Sequence, residues 1–87
     1  MKVYVICIEF DADYGVQFEI KPTAYKSKED AQQALKKQIE FEKTNTWIAH
    51  QTEEDLTIEE DENSFYCKLE CDDYYTKIDI VEVEIED

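Results

Sequence analysis

Cys67 and Cys71, spaced C-x3-C, and the single histidine, His50, are the side chains with most nucleophilic or metal-binding chemistry to offer. On a strand, residues four apart share a face and stand about 13 Å from one another, well beyond disulfide reach. Both cysteines are therefore expected as small buried apolar groups, and a cross-strand pairing of Cys7 with Cys67 stays open. One histidine leaves any four-ligand zinc set incomplete unless carboxylates are borrowed. The stretch DADYGVQFEIKP begins like a calcium loop, but its glycine is fifth instead of sixth and it ends on Pro22 where a bidentate glutamate belongs. Ser27 is better placed as a helix cap than as a nucleophile, and His50 follows Trp47 and Ile48 in a segment where a surface or capping role suits it. The expectation is a protein with no catalytic residue, metal or cofactor.

Carboxylates are what the chain has in excess. Nine lysines, no arginine and 23 acids give a net charge of −14. Such a field repels nucleic acid, whose affinity for proteins comes from cations that displace phosphate counterions. It repels anionic membranes as well, and it attracts basic partners. The surplus is unevenly distributed: residues 27–43 hold four acids and four lysines, so all of the excess lies outside that segment. Two runs stand out. EEDLTIEEDEN, 53–63, carries Glu53, Glu54, Asp55, Glu59, Glu60, Asp61 and Glu62, with only Leu56 and Ile58 to bury. In VEVEIED, Glu82, Glu84 and Glu86 alternate with apolar residues, so on a strand they form a row at intervals of about 6.8 Å. Such a row can imitate the phosphates of a polynucleotide. Solvation of an exposed strand accounts for the same pattern without a partner.

The elements that must carry these groups read plainly. KVYVICIEF, 2–10, is apolar on both alternating sets, as an interior strand is. DADYG supplies a turn in which Gly15 is free to take positive φ. In VQFEI, Val16, Phe18 and Ile20 alternate with polar residues, which predicts one buried face, and Pro22 marks an edge or an end. Ser27 with Asp30 three residues on begins a helix in which Ala31, Ala34, Leu35, Gln38, Ile39 and Phe41 share a broad arc. TWIAH is open between a helical extension and a strand, and DLTI suits a short strand. SFYCKLEC is a strand turned back by DDYY. In YTKIDIVEVEIED the apolar phase slips after Ile80, which a β-bulge or bend near there would explain.

The sum is one α+β domain spanning 1–87: an antiparallel sheet of four to five strands with one helix packed on one face, in the order ββα then ββ or βββ. One helix cannot cover both faces of such a sheet, so the second face calls for loop cover or for a second copy in a homodimer. The chain lacks the pattern of a signal peptide and any run of the ~18 apolar residues that spans a membrane. Its odd cysteine count suits a reducing cytoplasm.

Short, strongly acidic α+β chains with a carboxylate row such as VEVEIED and an acidic loop such as EEDLTIEEDEN resemble the DNA-mimic inhibitors of bacteriophages and mobile elements, the anti-restriction and anti-CRISPR proteins among them. The resemblance lies in size and charge. It implies a non-enzymatic inhibitor of a basic, nucleic-acid-processing partner. Contact would fall on Glu53, Glu54, Asp55, Glu59, Glu60, Asp61, Glu62, Glu82, Glu84 and Glu86, with Trp47 and Tyr74 as apolar anchors. The alternative is a small structural or homodimerisation domain whose acidity serves solubility.

Overall fold

The computed structural model describes residues 1–11 and 15–86, so the turn expected at DADYG lies mostly outside the described residues. Strands β1 (Lys2–Asp11) and β2 (Val16–Ile20) precede helix α1 (Lys28–Asn45), two short 3-10 turns (Trp47–His50 and Glu53–Asp55) and strands β3 (Leu56–Glu60), β4 (Ser64–Leu69) and β5 (Tyr75–Glu84). All strand pairings are antiparallel, in the order β2-β1-β5-β4-β3. This is the expected α+β architecture with five strands. Gly15 takes φ +87°, a conformation that costs glycine little.

The helix starts where its cap predicts. Ser27 Oγ accepts from the Asp30 amide at 3.1 Å, and Glu29 and Asp30 sit in the first turn, where the helix dipole favours negative charge. Ala31, Leu35 and Ile39 are buried against the central strands β1 and β5. Ile6, Ile8, Phe65, Cys67 and Ile78 complete the core, and Ile48 of the first 3-10 turn closes it. TWIAH is therefore a one-turn continuation beyond a break at Thr46, whose hydroxyl accepts from the Ile48 amide at 3.4 Å.

The pairing of β1 with β5 runs without interruption from Lys2 opposite Glu84 to Asp11 opposite Tyr75. The bulge expected near Ile80 is absent, and the apolar slip has a different cause. Ile6, Ile8, Ile78 and Ile80 face the helix, whereas Val3, Val5, Val81 and Val83, each of opposite parity, face the other way. Beyond Ile80, β5 outruns β4, whose last pairing is Ser64 with Asp79. A two-stranded β1–β5 ribbon projects there, and the molecule is drawn out to 47 × 24 × 18 Å.

Strand β2 departs from expectation too. All five of its residues are exposed, Phe18 at 61%. As an edge strand aligned Cys7 with Ile20 and Glu9 with Phe18, it turns Val16, Phe18 and Ile20 to the side without a helix. Phe41 also lies outside the core, 52% exposed, and Glu42 takes the buried position instead. β4 ends at Leu69, so Cys71 is exposed in a turn instead of buried on a strand. Cys7 and Cys67 belong to strands separated by β5 and face opposite sides, and all three thiols are free. Among the described residues, no helix is long and apolar enough to cross a membrane.

Candidate interaction surfaces

The acidic run 53–62 forms one border of the sheet. Glu53, Glu54 and Asp55 make a 3-10 turn at one end, tied to β4 by the Glu70 amide donating to Asp55 O at 2.8 Å. Glu59 and Glu60 close β3, an edge strand, and alternate to opposite faces. Glu60 lies on the helix side, where Lys43 Nζ approaches it to 3.5 Å. Asp61 accepts from the Asn63 amide at 2.7 Å and the Ser64 hydroxyl at 3.2 Å. The Asn63 hydrogen bond is the main cause holding its carboxyl below the ordinary value, so it stays ionised over a wide pH range.

The row at the other run is shorter than expected. Glu82 and Glu84 share the helix-side face of β5, but the strand ends at Glu84 and Glu86 lies past it. Both carboxylates already meet local donors: Tyr4 Oη at 3.4 Å and Lys2 Nζ at 4.0 Å for Glu82, the Met1 amine at 3.4 Å for Glu84. The Asn63 carbonyl accepts from the Ile80 amide at 3.0 Å, which sets the Asp61–Glu62 turn beside the unpaired flank of β5. The two runs thus border the same side of the sheet, with Glu53, Glu54 and Asp55 at one end and Glu82, Glu84 and Glu86 at the other. Six of the nine lysines, Lys21, Lys26, Lys28, Lys36, Lys37 and Lys43, belong instead to the segment from the end of β2 through the helix, and of these Lys43 reaches the acidic border at Glu60.

Trp47 and Tyr74 do come together, edge to face at 5.9 Å between ring centroids. Both are half-buried. Trp47 packs on the core and donates Nε1–H to Thr76 Oγ1 at 2.9 Å, so its first role is structural.

Two features stand beside the acidic border, the first anticipated by the sequence as a second sheet face in need of cover, the second not. The first is the apolar face opposite the helix, where Val16, Phe18, Ile20, Val81 and Val83 are exposed beside half-buried Val5 and Cys7. Burial, with the Asp79 charge second, pushes the Cys7 thiol up, so it stays protonated. Farther along this face the Tyr75 hydroxyl donates to Glu9 Oε2 at 2.8 Å, a bond that raises the tyrosine's pKa.

The second is a groove of about 590 Å³ between the C-terminal end of α1 and strands β1 and β2. Ile8, Phe10 and Trp47 line it together with Glu19, Glu42 and His50. Glu42 is only 8% exposed, and its Oε1 accepts from Gln38 Nε2 at 2.9 Å. Burial raises its pKa against the opposing pull of Gln38 and Lys21. Helical spacing signalled this position, since Glu42 follows buried Ala31 by eleven residues, close to three turns at ~3.6 residues per turn. Among the described residues, no cluster of three or more histidine, cysteine or acidic side chains is arranged to hold a metal.

Comparison with protein-family models, with curated proteins and with solved structures yields no match.

Proposed function

We propose that this chain is a non-enzymatic binding protein that lays its carboxylate border into a basic, nucleic-acid-binding groove of a partner. A defence nuclease blocked in the manner of the anti-CRISPR and anti-restriction DNA mimics is the partner class that fits. The observation that carries the reading is that residues 53–62 and Glu82, Glu84 and Glu86 border one side of the sheet while most lysines lie elsewhere. Complementary fields accelerate such docking and are screened by salt beyond about 8–10 Å. Displacement of labelled duplex DNA from a panel of basic phage-defence nucleases tests it. The wild type displaces DNA from at least one of them. Glu59→Lys/Asp61→Lys/Glu62→Lys and Glu82→Lys/Glu84→Lys variants that keep their circular dichroism lose that effect. Displacement indifferent to these charge reversals sinks the proposal.

A second reading rests on the apolar face. Val16, Phe18, Ile20, Val81 and Val83 crowd one side of the sheet, while the charges that alternate with them, Glu19, Glu82 and Glu84, point to the other side. A second copy stacked on this face buries these side chains and keeps those carboxylates away from the seam, as a homodimerisation domain requires. Sedimentation at low and high salt separates the readings: a hydrophobic dimer persists in salt, whereas a dimer-free monomer under both conditions removes this one.

A further inference from the structure

From the groove between α1 and β2 we infer a binding site for a small organic monocation with an apolar body, such as an arylalkylamine, its ammonium held by Glu42. Three observations converge. Glu42 is nine-tenths buried, lines the groove, and among the described residues meets only the neutral side chains of Gln38 and Thr46, with no cation at ion-pair distance. Neither neighbour carries a charge, so the carboxylate has hydrogen bonds but no ion pair.

Lys21, whose charge is felt at Glu42, is already engaged elsewhere. Lys21 Nζ lies 3.5 Å from Glu19 Oε1, so the pair Glu19–Lys21 is balanced internally and Glu42 is the surplus charge of the groove. A carboxylate kept at low exposure without a paired cation is costly, and a ligand's ammonium offsets that cost by adding a charge-assisted hydrogen bond.

The rest of the lining selects the ligand's body. Ile8, Phe10 and Trp47 present apolar surface, and an aromatic face attracts a cation or stacks with a ring. About 590 Å³ accommodates a one-ring amine and falls in the ~300–1,000 Å³ range of small-molecule sites. A bare metal ion fits less well, because among the described residues no three histidine, cysteine or acidic side chains converge to hold one.

Trp47 is the only tryptophan, so its fluorescence reports occupancy without a label. The full chain is titrated at constant ionic strength with phenethylamine, and in parallel with 2-phenylethanol, 3-phenylpropionate and methylamine. The amine gives a saturable change at least tenfold tighter than the alcohol, the acid gives none, and methylamine, which carries charge without a body, is at least tenfold weaker. Glu42→Gln keeps the Gln38 hydrogen bond and the fold, and it erases the preference for amine over alcohol. Glu40→Gln removes an exposed charge from the same helix and leaves the preference intact. Equal binding of amine and alcohol, no saturable response to the amine, or an amine preference that survives Glu42→Gln overturns the inference. An equal loss in Glu40→Gln overturns it as well, by showing attraction to the overall charge alone.

Discussion

Ile80 and Val81 are neighbours on β5 that serve opposite faces of the sheet: Ile80, opposite Ile6, packs beneath the helix, and Val81, opposite Val5, is 40% exposed on the other side. Up to Ile80 the helix provides the apolar cover. Past it the ribbon has outrun the helix-covered core, the helix-side positions become Glu82 and Glu84, and the apolar residues move to the opposite face.

The two neighbours should therefore respond differently to truncation. Ile80→Ala is expected to cost about 2 kcal/mol, the low end for a buried isoleucine because the side chain is only partly covered. Val81→Ala should stay within about 0.5 kcal/mol in the monomer. Urea denaturation followed by circular dichroism measures both, and equal losses would mean that Val81 is covered in solution.

Glu42 makes stability depend on pH in a direction opposite to that of most carboxylates. Its folded-state pKa is raised above the ordinary glutamate value by burial. The folded chain therefore holds this proton to higher pH than the unfolded chain does. Stability is fully present below the ordinary value and is lost as pH rises through the raised one. Glu42→Gln, which cannot ionise, should match the wild type near pH 4 and exceed it in stability at pH 7. Thermal melts across that range check it, and a variant less stable than the wild type at neutral pH contradicts it.

Removing the Trp47 indole N–H leaves the hydroxyl of Thr76, itself fully buried, without its donor at 2.9 Å. Trp47→Phe should cost about 1–3 kcal/mol. Thr76→Val in the same background should recover part of that loss, since two apolar partners need no hydrogen bond. A double-mutant cycle in guanidinium chloride gives the coupling directly, and additive losses would remove the hydrogen bond from the account.

With a net charge of −14 the folded chain repels itself. Raising salt from about 20 mM to about 300 mM shortens the Debye length from roughly 20 Å to under 6 Å and should raise the melting temperature by several degrees. Glu60→Gln, which frees Lys43 from its partner at 3.5 Å, should change the melting temperature far less than the added salt does. A melting temperature insensitive to salt would show that the acids are too far apart to repel.

Local signals were legible in the chain. Ser27 and Asp30 announced the helix start through a hydrogen bond that closes within three residues. Phe65, Cys67 and Leu69 announced a half-buried strand through alternation, and the two-sided apolarity of KVYVICIEF placed β1 inside the sheet. Each of these depends on neighbours close along the chain, so backbone geometry alone fixes it. The acidic border was legible in part: the run 53–62 stays together because it follows one edge, but Glu82 and Glu84 meet Lys2 and the Met1 amine only because β1 pairs with β5.

The sequence by itself determined the helix and the main strands, though not the state of TWIAH, where the helix is capped, and that negative charge gathers outside the helical segment. Only the tertiary structure decided which alternating set of each strand the helix covers, because the two sets of β1 are both apolar and their composition does not choose between them. That choice left Phe18, Val81 and Val83 uncovered. It also turned Phe41 outward and sealed Glu42 over a groove, since the side of a helix that is buried depends on where the neighbouring strands end.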